Sequence, residues 1–148
     1  MLPVKEKCPD GNSFFSDGPR LDFVMKPTFH LSIGVRSLDE SIDFFTRVLT
    51  GTVIASGSGY VNIDLFGSQI TLKENKNVSI EFPDFHFGIN IGLDQFERLA
   101  QNILDSNYQG DVSLPNLIDA GTPLERKKMY LKCPTGYLIE IKGYNNRS

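Results

Sequence analysis

The chain contains two histidines, and each stands at the same place in one of two copies of a repeated segment. Phe29-His30-Leu31-Ser32-Ile33 opens the first copy, and Phe85-His86-Phe87-Gly88-Ile89 opens the second. Strand side chains alternate between faces. Each imidazole therefore lies opposite its apolar flanks and shares its face with a small residue two positions on, Ser32 or Gly88. Space beside an imidazole fits a cleft better than a packed core. A repeat that keeps its histidine in both halves can bring two imidazoles to one point across a pseudo-twofold axis. Two converging imidazoles suggest a divalent metal.

A third ligand should be anionic and also on a strand. Glu140 meets both conditions, within Tyr137-Leu138-Ile139-Glu140-Ile141-Lys142. A glutamate in an otherwise apolar strand is costly unless it is paired or bound to a cation. With His30 and His86 it makes a set of two histidines and one carboxylate. That set suits Fe(II) with open positions, and also Mn, Co, Ni or Zn. The plainer alternative is a surface carboxylate paired with Lys132 or Lys142.

The elements that must position these side chains follow the same repeat. In the first half, Phe29 to Val35 reads as a strand. Ser37 and Glu40 have capping-box spacing, and Ile42, Phe45, Val48 and Leu49 line one helical face. Gly51 stops the helix. Three β-rich runs follow, Thr52 to Ala55, Tyr60 to Phe66 and Gln69 to Lys73. The second half repeats the order. Phe85 to Leu93 is the strand, and Asp94 and Glu97 give the capping signal. Phe96, Leu99, Ala100, Ile103 and Leu104 form the buried helical face. Residues 110 to 118 are poorly patterned, and Pro115 argues for an edge or irregular strand there. Lys127 to Cys133 and Tyr137 to Lys142 are the last strands. Two β-α-β-β-β units, each marginal alone, can pair into a curved, half-open α+β barrel with a central cleft and helices on the convex faces. Module one spans 28–75 and module two 83–144, within a domain of 28–148. Residues 1–27, rich in proline and glycine, form an N-terminal extension.

At 148 residues the chain is one compact unit or two fused half-domains. A net charge of −3 gives no electrostatic case for nucleic acid or an anionic membrane. No apolar run reaches the ~18 residues of a membrane span, and the first residues lack the apolar core of a signal peptide. Cys8 and Cys133 form no CxxC pattern and read as free thiols. A cytoplasmic setting is expected.

These motifs resemble the vicinal oxygen chelate superfamily, which includes glyoxalase I, extradiol dioxygenases and bleomycin and fosfomycin resistance proteins. Besides the two histidine segments, Leu38 to Phe45 and Cys133-Pro134-Thr135-Gly136-Tyr137-Leu138-Ile139-Glu140 carry the likeness. The last run is similar to the family's D-P-x-G-x-x-x-E ending, with Cys133 at the aspartate. The resemblance implies paired βαβββ modules, a metal on His30, His86 and Glu140, and a homodimer. It also implies a small-molecule substrate chelated through two oxygens. The family's fourth ligand position falls on Thr71, with Gln69 on the same face. A carboxylate is missing there, which argues against a standard glyoxalase I. Gln69, Thr71, Glu125 and Arg126 are candidate substrate contacts. Glu140 and Tyr130 are the candidate catalytic residues. The expected activity is dioxygenase-like. A glyoxalase-type lyase or isomerase and a non-catalytic drug-binding protein are the alternatives.

Overall fold

The computed structural model describes residues 27–81 and 84–145. The expected N-terminal extension, except Pro27, and Cys8 lie outside the described residues. The element order is β1 (His30–Val35), α1 (Leu38–Asp43), which runs on as a π-helical segment (Phe44–Val48), β2 (Thr52–Gly57), β3 (Tyr60–Leu65), β4 (Ser68–Glu74), β5 (Phe87–Gly92), α2 (Leu93–Asp105), β6 (Asn116–Ile118), β7 (Arg126–Lys132) and β8 (Leu138–Tyr144). Each half is βαβββ, as the sequence predicts. Among the described residues no helix is long and apolar enough to cross a membrane.

The strands form two four-stranded sheets, ordered β1-β4-β3-β2 and β5-β8-β7-β6. β1 runs parallel to β4 and β5 parallel to β8. Parallel neighbours need a crossover, and the helix after each first strand begins it. Alternation then fixes the faces. Ile33, Val35, Val61, Ile63, Leu65, Ile70 and Leu72 point to the helix side of the first sheet and are buried. Met129, Leu131, Ile139 and Ile141 do the same in the second. Each such side chain contributes about 1.5–3 kcal/mol on leaving water. The other faces carry His30, Ser32, Gln69 and Thr71 in one sheet and Gly88, Lys128, Tyr130, Glu140 and Lys142 in the other.

In α1, the Ser37 hydroxyl accepts from the Glu40 backbone N–H at 3.3 Å, as the capping signal requires. The π turn takes one extra residue, so adjacent Phe44 and Phe45 both face inward. Their rings meet edge to face at 5.2 Å. The buried face is thus Phe44, Phe45, Val48 and Leu49, with Ile42 only half-buried. The second helix departs from expectation at its start. Its N-cap is Gly92, not Asp94, because β5 passes straight into α2. Gln95 closes the cap by accepting from the Gly92 N–H at 3.3 Å. Leu104 is 59% exposed. It lies about 100° round the helix from Ile103, past the edge of the buried stripe. Of the irregular stretch after α2, only the three residues of β6 and a single bridge from Val112 to Leu131 join the sheet.

The two halves meet on the helix side. The Arg36 guanidinium donates to the Thr135 carbonyl at 2.7 Å, and the Arg36 backbone N–H to the Thr135 hydroxyl at 3.1 Å. The Asn102 side-chain amide donates to the carbonyls of Arg47 and Val48 at 3.0 and 2.9 Å. The Phe44 and Tyr108 rings meet at a tilt, 4.9 Å apart. Among the described residues the sheets do not close into a barrel, and β1 and β5 each have a strand on one side only.

Candidate functional site

The site begins with the register of the second sheet. Gly88, Glu140 and Tyr130 stand in one row across β5, β8 and β7. A Cβ on Gly88 would come within 1.8 Å of the Glu140 carbonyl oxygen. Only glycine allows that approach. It also leaves space on the open face beside His86, just ahead of β5. The His86 Nε2 lies 3.4 Å from Glu140 Oε2. The Tyr130 hydroxyl donates to Glu140 Oε1 at 2.9 Å. The imidazole and phenol rings are nearly perpendicular, 6.4 Å apart.

Glu140 is 8% exposed and yet fully partnered. The Lys142 ammonium sits 3.1 Å from Oε2, and that of Lys128 3.7 Å from Oε1. Burial pushes the carboxyl pKa up. The hydrogen bonds from Tyr130 and Lys142, with the charges of Lys142 and His86, outweigh it and hold the group below its ordinary value. Glu140 is therefore a charged acceptor at neutral pH. The sequence alternative of a lysine partner is correct for Lys142. Lys132 pairs instead with Asp111, at 3.5 Å.

The first sheet has a matching row of Ser32, Thr71 and Asn62. His30 precedes Ser32 by two residues, as His86 precedes Gly88, so Thr71 occupies the place of Glu140. Its hydroxyl donates to Asn62 Oδ1 at 2.8 Å. Gln69 stands beside His30 in register. No carboxylate replaces Glu140 here, as the sequence alignment of the halves requires.

His86 and Glu140 come together; His30 does not join them. Among the described residues no three His, Cys, Asp or Glu side chains gather around one point of a single chain. The expectation of an assembled triad within one chain needs this correction. Its physical reason is the joint between the halves. They meet through the helices and the turn at Thr135, while the histidine-bearing edges of β1 and β5 remain unpaired with each other. An imidazole and a charged carboxylate in contact suit a divalent ion, with a further donor still to be supplied from outside the pair.

Glu125 and Arg126 serve the loop before β7. Glu125 accepts from the Gly121 N–H at 2.6 Å, and Arg126 bridges to Asp119 at 2.5 Å. Both border a small cavity near the start of α2, with Leu93, Leu117, Gly143 and Asn145. Sequence reasoning missed Lys128. The signal was present, since Lys128 lies two residues from Tyr130 on one strand and so shares its face.

No family model matches the chain. Solved structures do. A glyoxalase/bleomycin resistance protein/dioxygenase from Alicyclobacillus acidocaldarius is 26% identical, with a TM-score of 0.66 over 80% of this chain and 91% of that one. A variant of the fosfomycin resistance protein FosX from Listeria monocytogenes, in complex with Mn(II) and a dihydroxypropylphosphonic acid, is 15% identical with a TM-score of 0.63, covering 81% and 92%. A bleomycin-binding protein in complex with bleomycin is 13% identical with a TM-score of 0.64, covering 81% and 100%.

Proposed function

From a chain with the fold of the vicinal oxygen chelate superfamily, we propose a metal-dependent enzyme of that type, dioxygenase-like, acting on a small molecule. The observation that carries the reading is the contact of His86 with a buried, charged Glu140 on an open sheet face. His30, His86 and Glu140 form the ligand set. The FosX likeness supports a divalent metal in general; we favour Fe(II), with Mn, Co, Ni or Zn as the other candidates. When bound, the ion would supply Lewis acidity to two substrate oxygens or activate dioxygen. Tyr130 holds the Glu140 carboxylate through its hydroxyl proton and is placed to exchange that proton with substrate. Gln69 and Thr71 offer polar contacts beside His30, and Glu125 and Arg126 orient the loop at the rim.

His30 reaches the other two ligands in a homodimer. Among the described residues β1 and β5 are edge strands, and an edge strand is a template for a second chain. Apposing β1 of one copy with β5 of another brings His30 toward His86 and Glu140, and a C2 pair makes two such sites.

The test is elemental analysis of untagged protein purified anaerobically, beside His86→Ala and His30→Ala. Stoichiometric iron, lost in both variants, is the expected result. Nickel or zinc shifts the reaction to lyase or isomerase chemistry, and metal in neither parent nor variant overturns the centre. A second reading has its own observation. Lys128 and Lys142 already counter the charge of Glu140 without a metal, as a sequestering drug-binding protein would allow.

A further inference from the structure

One register step beyond the Glu140 row lies a row of donors. Asn90, Lys142, Lys128 and Asn116 stand side by side across β5, β8, β7 and β6. Asn90 and Asn116 are exposed. The lysine side chains are only 25% and 29% exposed, for Lys128 and Lys142, so their ammoniums are drawn in over the sheet. Direct cross-strand neighbours of like charge destabilise a sheet. Among the described residues, the one carboxylate within 4 Å of either ammonium is Glu140. Two cations share one anion, and a positive charge is left over on a partly sheltered face. Lys128 also lies over the Tyr130 ring, 5.2 Å from its centre.

The fold does not demand this arrangement. The matching row of the first sheet is Gly34, Lys73, Tyr60 and Gly57, with one cation and no amide. The same architecture stands there without the lysine pair. We propose that Lys128 and Lys142, flanked by Asn90 and Asn116, form an oxyanion subsite that binds a carboxylate or phosphate group of the substrate. Two ammoniums on adjacent strands supply the donors, with an amide on the strand to either side, and charge-assisted hydrogen bonds to an oxyanion are the strong kind. The row lies two residues along β8 from Glu140, but the ammoniums reach back to 3.1 and 3.7 Å from its oxygens, so the subsite adjoins that carboxylate. The substrate is then an organic acid or phosphate ester whose charged group sits beside the atoms held at Glu140. This rests on the reading of the face as a substrate cleft, and it does not need a metal to be present there.

Titration of backbone amide NMR signals at constant ionic strength tests it, with inorganic phosphate and malonate as probes and glycerol as a neutral control. The expected result is saturable shifts on β7 and β8 at anion concentrations on the order of millimolar. They weaken at least tenfold in Lys128→Gln and in Lys142→Gln, and are absent with glycerol. Lys127→Gln, on the opposite face of β7, should bind as the parent does. Preference for phosphate or for malonate tells a phosphate ester from a dicarboxylate. Equal binding by the parent and the Lys128→Gln/Lys142→Gln double variant, with melting curves showing both folded, overturns the subsite, as does the absence of saturable binding by the parent. Chelator-treated protein separates this from the metal centre. Lysine-dependent anion binding without metal uptake sinks the metal alone, and metal uptake without lysine-dependent anion binding sinks the subsite alone.

Discussion

Removing the Glu140 carboxylate leaves Lys128 and Lys142 opposed across β7 and β8 with nothing between them. Glu140→Ala should therefore destabilise the fold by about 1–3 kcal/mol, less than a fully buried pair because the lysines keep some solvent. Urea unfolding measures it, and an unchanged midpoint would show that the ammoniums simply turn outward. Gly88→Ala should be worse at the same place, since its Cβ meets main chain that cannot swing aside. Soluble protein with parental stability from that variant would contradict the register drawn for β5 and β8. Cys133 is 4% exposed, and burial raises its thiol pKa against the backbone N–H groups that lower it. In a Cys8→Ser background it should resist alkylation at neutral pH until the chain is denatured. Glu140 was legible in the sequence because one carboxylate in an apolar strand demands a partner. Its partner Lys142, two residues on, was legible too. Lys128 was legible only as a neighbour of Tyr130 on one face; its reach to Glu140 depends on the register of β7 on β8, which no local pattern fixes.

At the scale of elements, alternation and helical period placed nearly all of the buried face, and the errors fall where those periods break. The π turn put Phe44 inside beside Phe45, which a 3.6-residue period cannot foresee. Asp94 has the residue type of a cap, but Gly92, still extended at the end of β5, is the N-cap and α2 begins at Leu93. Glu97 was assigned to that cap; it pairs across to Lys127 instead. The packing of α2 on its sheet gives a sharp test. Gly143 on β8 lies beneath Phe96, and a Cβ there would come within 2.5 Å of the Phe96 Cβ. Gly143→Ala should cost about 1–3 kcal/mol by overpacking. Pairing it with Phe96→Leu would not rescue it, because the clash is with the Cβ that leucine retains. Recovery in the double variant would mean that the ring, not the helix position, is the obstacle.

At the scale of the molecule, the repeat revealed two βαβββ halves but not how they join, since the sequence carries no signal that chooses between the histidine edges and the helix side. The joint runs through Tyr108, whose ring packs at a tilt on Phe44 of the other half and whose hydroxyl donates to the Lys132 carbonyl at 2.6 Å. Burial, helped by the charges of Cys133, Asp111 and Glu40, pushes its pKa from 10.0 up to about 12. The sign follows from linkage. Between those values the unfolded chain has lost the phenol proton and the folded chain keeps it, so unfolding releases a proton and stability falls as pH rises. Below pH 10 the contribution is whole; above about 12 it is gone. Tyr108→Phe lacks both the hydrogen bond and the titration. It should melt lower than the parent at pH 8, and the gap should narrow steadily as pH rises through 10 toward 11.5. Other groups titrating in this range affect both proteins alike and cancel in the difference. Parallel melting curves for parent and variant across that interval would mean that the phenol is not held protonated at the joint, and that its hydroxyl adds nothing to the hold of Arg36, Arg47 and Asn102.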